Sequence, residues 1–292
     1  MLLTPGILVR LATLGPGPLE NTPLRWAWQP LFGTPGQLWG VLPAWAPWTL
    51  AGLAAVLGTA GVGRLARQDH PPGAMLRAQW LWLVAPGTLW ALQAPGSIAA
   101  AAAAAWSLAW ARRGRPDLAF LLLGLGAGLE PLVWCLLPFL VDETLRQSSD
   151  EATTEVSLGM AVLGCTVVAG TQLVLPRLTG GEAPHPLWLA ADPSEALKRL
   201  ADTLRSWPAG LWFAALVPLV GFPVGASTLR RSVAGHTLLT VAVAAWSGLL
   251  PQALPLCLAL PLALGDALDR HRTWDLPVLL PLLAWSLLGV LP

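Results

Sequence analysis

The sequence predicts an all-α, polytopic integral membrane bundle, and three observations carry that reading. Of 292 residues, 55% are hydrophobic and 11% charged, against about 25% charge in an ordinary soluble domain. Apolar runs recur along the chain at lengths suited to helices in a bilayer whose hydrocarbon layer is about 30 Å thick. Of the 17 tryptophans, with no tyrosine beside them, Trp26, Trp28, Trp39, Trp45 and Trp48 crowd the segment before the first clear span and others flank later runs. Trp80, Trp90, Trp106, Trp110, Trp207 and Trp274 sit where an aromatic belt belongs. The net charge of +1 offers no basic field for a nucleic-acid partner.

Residues 1–46 are rich in Pro, Gly and Trp and contain no long apolar run. They read as an interfacial segment, and residues 1–18 lack the unbroken core and cleavage site of a signal peptide. Residues 47–292 read as one integral membrane domain. A first span covers 47–62 and ends at Arg64 and Arg67. The run 79–92 is short and reads as tilted or re-entrant. The run 95–110 contains "SIAAAAAAAWSLAW", whose alanines permit close helix approach, and Arg112, Arg113 and Arg115 end it. Residues 118–141 form the longest apolar run and read as a span turning straight back.

An acidic loop follows at 142–155, with five acids among its six charges. The run 156–175 spans again and ends at Pro176 and Arg177. A polar loop covers 178–207. Within it, Pro193 and Glu195 give a helix-start signature, and Ala196, Leu197, Leu200, Leu204 and Trp207 share one face. This predicts an amphipathic helix lying along the membrane surface. The runs 208–224, broken by Pro218 and Pro223, then 233–250, 252–265 and 276–291 complete a set of roughly seven to nine membrane segments, some short or re-entrant.

Basic loops set orientation. Arg64, Arg67 and Arg77 share one side with Arg112, Arg113 and Arg115, which should be cytoplasmic, so the acidic loop 142–155 faces outward. Strict alternation then puts Arg230 and Arg231 outside, against the rule. A re-entrant 208–224 would remove that conflict.

Candidate chemistry starts at Glu130, in "GLGAGLEPLVW". A charged side chain at mid-membrane costs about 2.5 kcal/mol or more and tends to face a cavity or a partner. Pro131 removes a backbone donor and kinks the helix. The functional reading is a polar cavity at the kink. The plainer one is a Glu bonded to neighbouring backbone. Asp142 and Glu143 are adjacent acids that suit a divalent metal or an acid–base pair, or simply a solvated helix end. Arg177, His185, Lys198, Arg199, Arg230 and Arg231 suit phosphate oxygens or ordinary membrane anchoring. His236 inside a span suits haem or chlorophyll ligation, or a polar helix interface. His70 and His271 read as loop residues. The cysteines Cys135, Cys165 and Cys257 fit no zinc or CxxC spacing and read as small core hydrophobes. No Ser/His/Asp triad, Walker loop or HExxH motif is present.

The stretch "SIAAAAAAAWSLAWARRGRPDLAFLLLGLGAGLEP" resembles the middle of polytopic GT-C-type glycosyltransferases. "LVLPRLTGGEAPHPLWLAADPSEALKRL", "PLVGFPV" and "PLCLALPLALGDALDR" are similar to the later part of an uncharacterised bacterial branch. The resemblance covers roughly residues 45–270. It implies a protein of the bacterial cytoplasmic membrane that takes a polyprenyl-phosphate sugar as donor and transfers the sugar at the external face. In that family the catalytic acid follows the first span. Here no full span precedes residue 46, and the corresponding "GPLENTPLRWAWQP" holds one carboxylate, Glu20. The resemblance therefore leaves a truncated or degenerate member, or one completed by a partner, among the expectations. The alternative function is a structural or scaffold subunit of a membrane complex, with lipids and other membrane proteins as partners. A transporter is the weaker alternative, since broken helices and an intramembrane Glu fit transport but no inverted repeat is detected.

Overall fold

In the computed structural model of the chain, the described residues are 46–69, 71–85, 88, 91, 95–147, 159, 162–166, 194, 198, 201, 228–247 and 253–270. Every regular element among them is helical. These elements are α1 (Ala46–Asp69), α2 (Pro72–Val84), α3 (Pro95–Ala111), α4 (Pro116–Leu129), a 3-10 segment (Pro131–Leu136), α5 (Leu137–Gln147), α6 (Thr228–Ser247), a short 3-10 turn (Leu254–Leu256) and α7 (Ala259–Arg270). The architecture is the expected all-α membrane bundle. Thr49–Gln68 is long and apolar enough to cross a bilayer, while Gly96–Ala111, Pro116–Leu129 and Val233–Ala244 are shorter apolar helices.

Prolines start α2 and α4 within the first two positions, where a missing N–H costs nothing. Gly114, at φ 67°, makes the sharp turn between α3 and α4 that a side chain would strain. Small residues set the packing. α1 lies along α3, which lies along α4, and Ala100, Ala101, Ala104, Ala105 and Ala109 of α3 are buried in that contact. α7 crosses α2 so closely that a Cβ on Gly265 would stand 2.8 Å from the Ala78 amide nitrogen.

Tryptophans here serve the interior as much as the belt. Trp82 is buried, lies against Gly58 and donates to the Pro255 carbonyl at 3.2 Å. Trp106 donates to the Leu57 carbonyl at 2.8 Å. Each satisfies its one N–H while filling core volume. Leu53 and Leu57 of α1, and Leu121 and Leu125 of α4, point outward and are the lipid-facing complement.

The direction of each helix follows from its cross-contacts. Leu57 meets Trp106 and Gln68 meets Ala109, so α1 and α3 run parallel and their arginine-bearing ends coincide. Arg77 of α2 bonds Asp269 of α7 at 2.7 Å at this same end. α4 then runs away from it for 14 residues, about 21 Å at helical rise.

Here the structure corrects the reading of 118–141 as one span. Glu130 lies beside Ser97, near the start of α3, while Glu143 bonds Arg112, just past the end of α3. The chain therefore reverses at Glu130, and α5 climbs back to the arginine end. Residues 116–147 form a re-entrant V with both arms opening on one side. α6 runs antiparallel to the second arm, with Gly235 against Phe139 and Thr240 against Cys135. Its first turn, with Arg230 and Arg231, thus joins the arginine end. The charge conflict expected from strict alternation is removed by this V. The segment 208–224, expected to remove it, lies outside the described residues.

The V makes a direct prediction. Single cysteines at Arg113 and Arg146, both exposed, placed in a background lacking the native thiols, should react with an impermeant maleimide from the same face of sealed vesicles. Labelling from opposite faces would rule out the V.

At the turn itself, the Arg115 guanidinium forks onto Asp117 at 2.9 and 3.1 Å. That hydrogen-bonded fork holds the Asp117 carboxyl below the usual carboxylate range. Its stabilisation is present above the ordinary carboxylate pKa and is lost as pH falls through the lowered one. Both side chains are more than half exposed, so the effect is small and screened by salt. Asp117→Asn should therefore lower the melting midpoint slightly near neutral pH. The difference should close once the pH falls below the lowered carboxyl pKa, which a pH series of melts would check.

Candidate functional site

The site is built at the tip of the V. The residue before a proline is pushed to extended backbone, and Glu130 has φ −144° and ψ 108°. Pro131 has no N–H, so the Ala127 carbonyl four residues earlier loses its helical partner. The Glu130 amide still bonds the Gly126 carbonyl at 2.9 Å, and the Glu130 carbonyl accepts from Val133 at 3.0 Å. The helix therefore ends in an ordered reversal. Gly126 permits it: a Cβ there would stand 3.3 Å from Val133 and 3.1 Å from Ala103. The 3-10 segment can thus fold back onto α4 while α4 stays tight on α3.

The Glu130 side chain is buried, 2% exposed. Its Oε2 accepts from the Ser97 hydroxyl at 3.3 Å, and Ser97 is itself fully buried. A buried carboxylate held by the Ser97 hydroxyl and the Leu132 backbone amide still keeps acceptor capacity that a proton donor can use. Chemically, the pair suits taking a proton from, or orienting, a hydroxyl-bearing group. Ser97 was not identified from sequence. Its signal is that it is the one polar side chain in the first turn of an alanine helix.

Asp142 and Glu143 do not converge. Neighbours in sequence point to different sides of a helix. Glu143 is 1% exposed and accepts from Arg112 Nε at 3.0 Å, whereas Asp142 is about half exposed and pairs with Arg146 at 2.9 Å. They do not fit a shared divalent ion. No group of three or more His, Cys, Asp or Glu that could hold a metal occurs among the described residues. Both acids also stand at the arginine end, about 20 Å along α3 from Glu130, so the three do not form one site. The first turn of α6 is at that same end, and the side chains of Arg230 and Arg231 lie outside the description. Lys198 is helical and exposed. Glu20, Arg177, His185 and Arg199 lie outside the described residues, as does most of the amphipathic helix; its described members, Ser194, Lys198 and Ala201, are helical. His236 is fully buried, and Cys135, Cys165 and Cys257 are buried and free.

No family model matches the sequence, and no curated protein matches it. The structure is similar to the crystal structure of ArnT from Cupriavidus metallidurans bound to undecaprenyl phosphate. The two chains are 18% identical with a TM-score of 0.54, over 89% of this chain and 51% of ArnT. This chain thus spans about half of ArnT's length. The likeness is one of architecture, and it relates the bundle to the GT-C-type fold.

Proposed function

We propose that the protein is a GT-C-like component of a bacterial cytoplasmic membrane. It would bind a polyprenyl-phosphate sugar and transfer the sugar to an acceptor hydroxyl at the external face. The observation that carries this reading is the architecture shared with ArnT, which was crystallised with undecaprenyl phosphate. Orientation supports it. If the arginine end is cytoplasmic by the positive-inside rule, Glu130 lies about 21 Å deeper, in the half of the bilayer facing outward.

In the proposed step, Glu130 takes the proton of the acceptor hydroxyl. The acceptor oxygen forms a bond to the anomeric carbon as the bond from that carbon to the phosphate oxygen breaks, and polyprenyl phosphate leaves. Ser97 positions the carboxylate. Arg177, His185, Lys198 and Arg199 are proposed to hold the phosphate, with Glu20 as a second acid. Arg230 and Arg231 act as anchors at the far end. No step passes through a divalent metal.

Retention of radiolabelled undecaprenyl phosphate by the protein in nanodiscs tests the lipid half of this reading. Saturable retention above empty nanodiscs is expected, and its absence would sink the proposal.

A second reading, a scaffold subunit of a membrane complex, is favoured by one observation. Two of the buried acids are already engaged by the protein's own helices, Glu143 by Arg112 and Glu130 by Ser97. A stable partner copurifying in native lipid, with no lipid-phosphate retention, would select it.

A further inference from the structure

The arginines of the bundle divide into two groups. Arg77, Arg112, Arg115 and Arg146 each hold a carboxylate, at 2.7, 3.0, 2.9 and 2.9 Å. Arg64, Arg67 and Arg113 meet no carboxylate among the described side chains. All three stand at one place, where the ends of α1 and α3 coincide. Gly61 of α1 packs on Ala105 and Trp106, and Gln68 donates to the Ala109 carbonyl at 3.3 Å. Arg64 lies between those contacts, three residues after one and four before the other, and so faces the same seam. Arg113 stands over the Trp110 ring at 5.4 Å, which fixes the guanidinium and leaves its charge uncancelled.

The surface that leads away from these cations is apolar and open to lipid. Leu53 and Leu57 are 55% and 56% exposed. Leu53, Leu57, Ala60, Arg64 and Arg67 follow one another at steps of three and four residues, so one outward stripe of α1 ends in two arginines. On α3 the half-buried Trp106 and Trp110, with ring centroids 6.3 Å apart, continue that surface to Arg113. From Leu53 to Arg64 is about 16 Å of helix. That is close to the depth of one leaflet in a hydrocarbon layer of about 30 Å.

The seam therefore asks for a partner with an anionic head and an apolar tail one leaflet long. Guanidinium forks match phosphate oxygens, and a basic cluster at the end of a membrane helix draws anionic headgroups. A soluble acidic protein would meet the arginines and leave Leu53 and Leu57 uncovered. A second copy, related by a two-fold axis along the membrane normal, would set the arginine stripe against itself. We propose that the α1–α3 seam binds an anionic phospholipid, its phosphodiester on Arg64, Arg67 and Arg113 and an acyl chain along Leu53, Leu57 and Trp106. This rests on the membrane fold alone and is independent of the sugar-transfer reading.

The test places the full chain in phosphatidylcholine nanodiscs that carry a minor fraction of phosphatidylglycerol with a photoreactive diazirine on one acyl chain. Cross-links should map to α1 and α3 along the seam, and diazirine-bearing phosphatidylcholine should show no such enrichment. Arg64→Gln, Arg67→Gln and Arg113→Gln should each lower the enrichment about fivefold. Arg115→Gln and Arg146→Gln remove the same charge from the same end, but from ion-paired positions, and should leave it unchanged. Melting midpoints in plain phosphatidylcholine nanodiscs, expected to stay close to native in all five, separate lost binding from lost folding. Equal losses in all five variants would reduce the effect to net charge and overturn the proposal. Cross-links spread evenly over the lipid-facing helices, or equal with phosphatidylcholine, would overturn it as well. So would displacement by inorganic phosphate at matched ionic strength, which would mark a site for a free anion.

Discussion

Glu143→Ala is expected to lower stability by about 3–5 kcal/mol, the largest loss from a single substitution in the described bundle. The Arg112–Glu143 pair lies at 3.0 Å, with side chains 12% and 1% exposed. Removing the acid takes the carboxylate at 3.0 Å away from a guanidinium whose side chain is largely buried, and that loss costs more than the pair itself is worth. The pair also ties α5 to the end of α3 and so closes the V. Replacing both partners with apolar residues of similar volume, Arg112→Met with Glu143→Leu, should be neutral or stabilising by about 1–4 kcal/mol. Equilibrium unfolding of the three proteins in mixed micelles checks this. A single-variant loss below about 1 kcal/mol would mean that the pair behaves as a solvated surface bridge.

The second large effect concerns Glu130. Glu130→Gln keeps the size of the side chain and an oxygen to accept from Ser97, but removes the charge and the basicity. If Glu130 acts as the general base, transfer from a polyprenyl-phosphate sugar should fall about 10²-fold or more with the melting midpoint unchanged. Glu130→Leu also breaks the Ser97 bond, orphaning a buried hydroxyl, and should lower stability by about 1–3 kcal/mol. Ser97→Ala should reduce rate less than Glu130→Gln, since it leaves the base in place but less well oriented. Full activity in Glu130→Gln would reduce Glu130 to a structural device at the helix break, and the scaffold reading would gain accordingly. Measuring lipid retention in the same variants separates a lost binding site from a lost proton acceptor.

Much of the bundle was legible in the chain because its signals are local. Apolar runs, the Arg-Arg-Gly-Arg turn after α3 and the break at Pro131 are each set by a few adjacent residues. Glu130 could be singled out because a carboxylate in an apolar run is costly wherever it ends up. Its partner could not be. Ser97 is 33 residues earlier, and only the antiparallel packing of α3 and α4 brings the two together. The pairing of Asp142 with Glu143 failed for a related reason: adjacency in sequence gave two acids, and helical geometry turned them to different arginines.

By itself, then, the sequence determined the material: an all-helical membrane protein, where its helices break, and which polar groups are out of place. The tertiary structure decided the direction. Hydropathy counts apolar residues without recording which way they run, so a 24-residue run reads as one span whether it crosses or returns. A proline frees the backbone to bend but does not set the angle. That angle is set by the close approach of Val133 and Ala103 to Gly126 and by Arg112 capturing Glu143. Those contacts, made between residues far apart in the chain, turn an apparent span into a re-entrant V with a carboxylate at its tip.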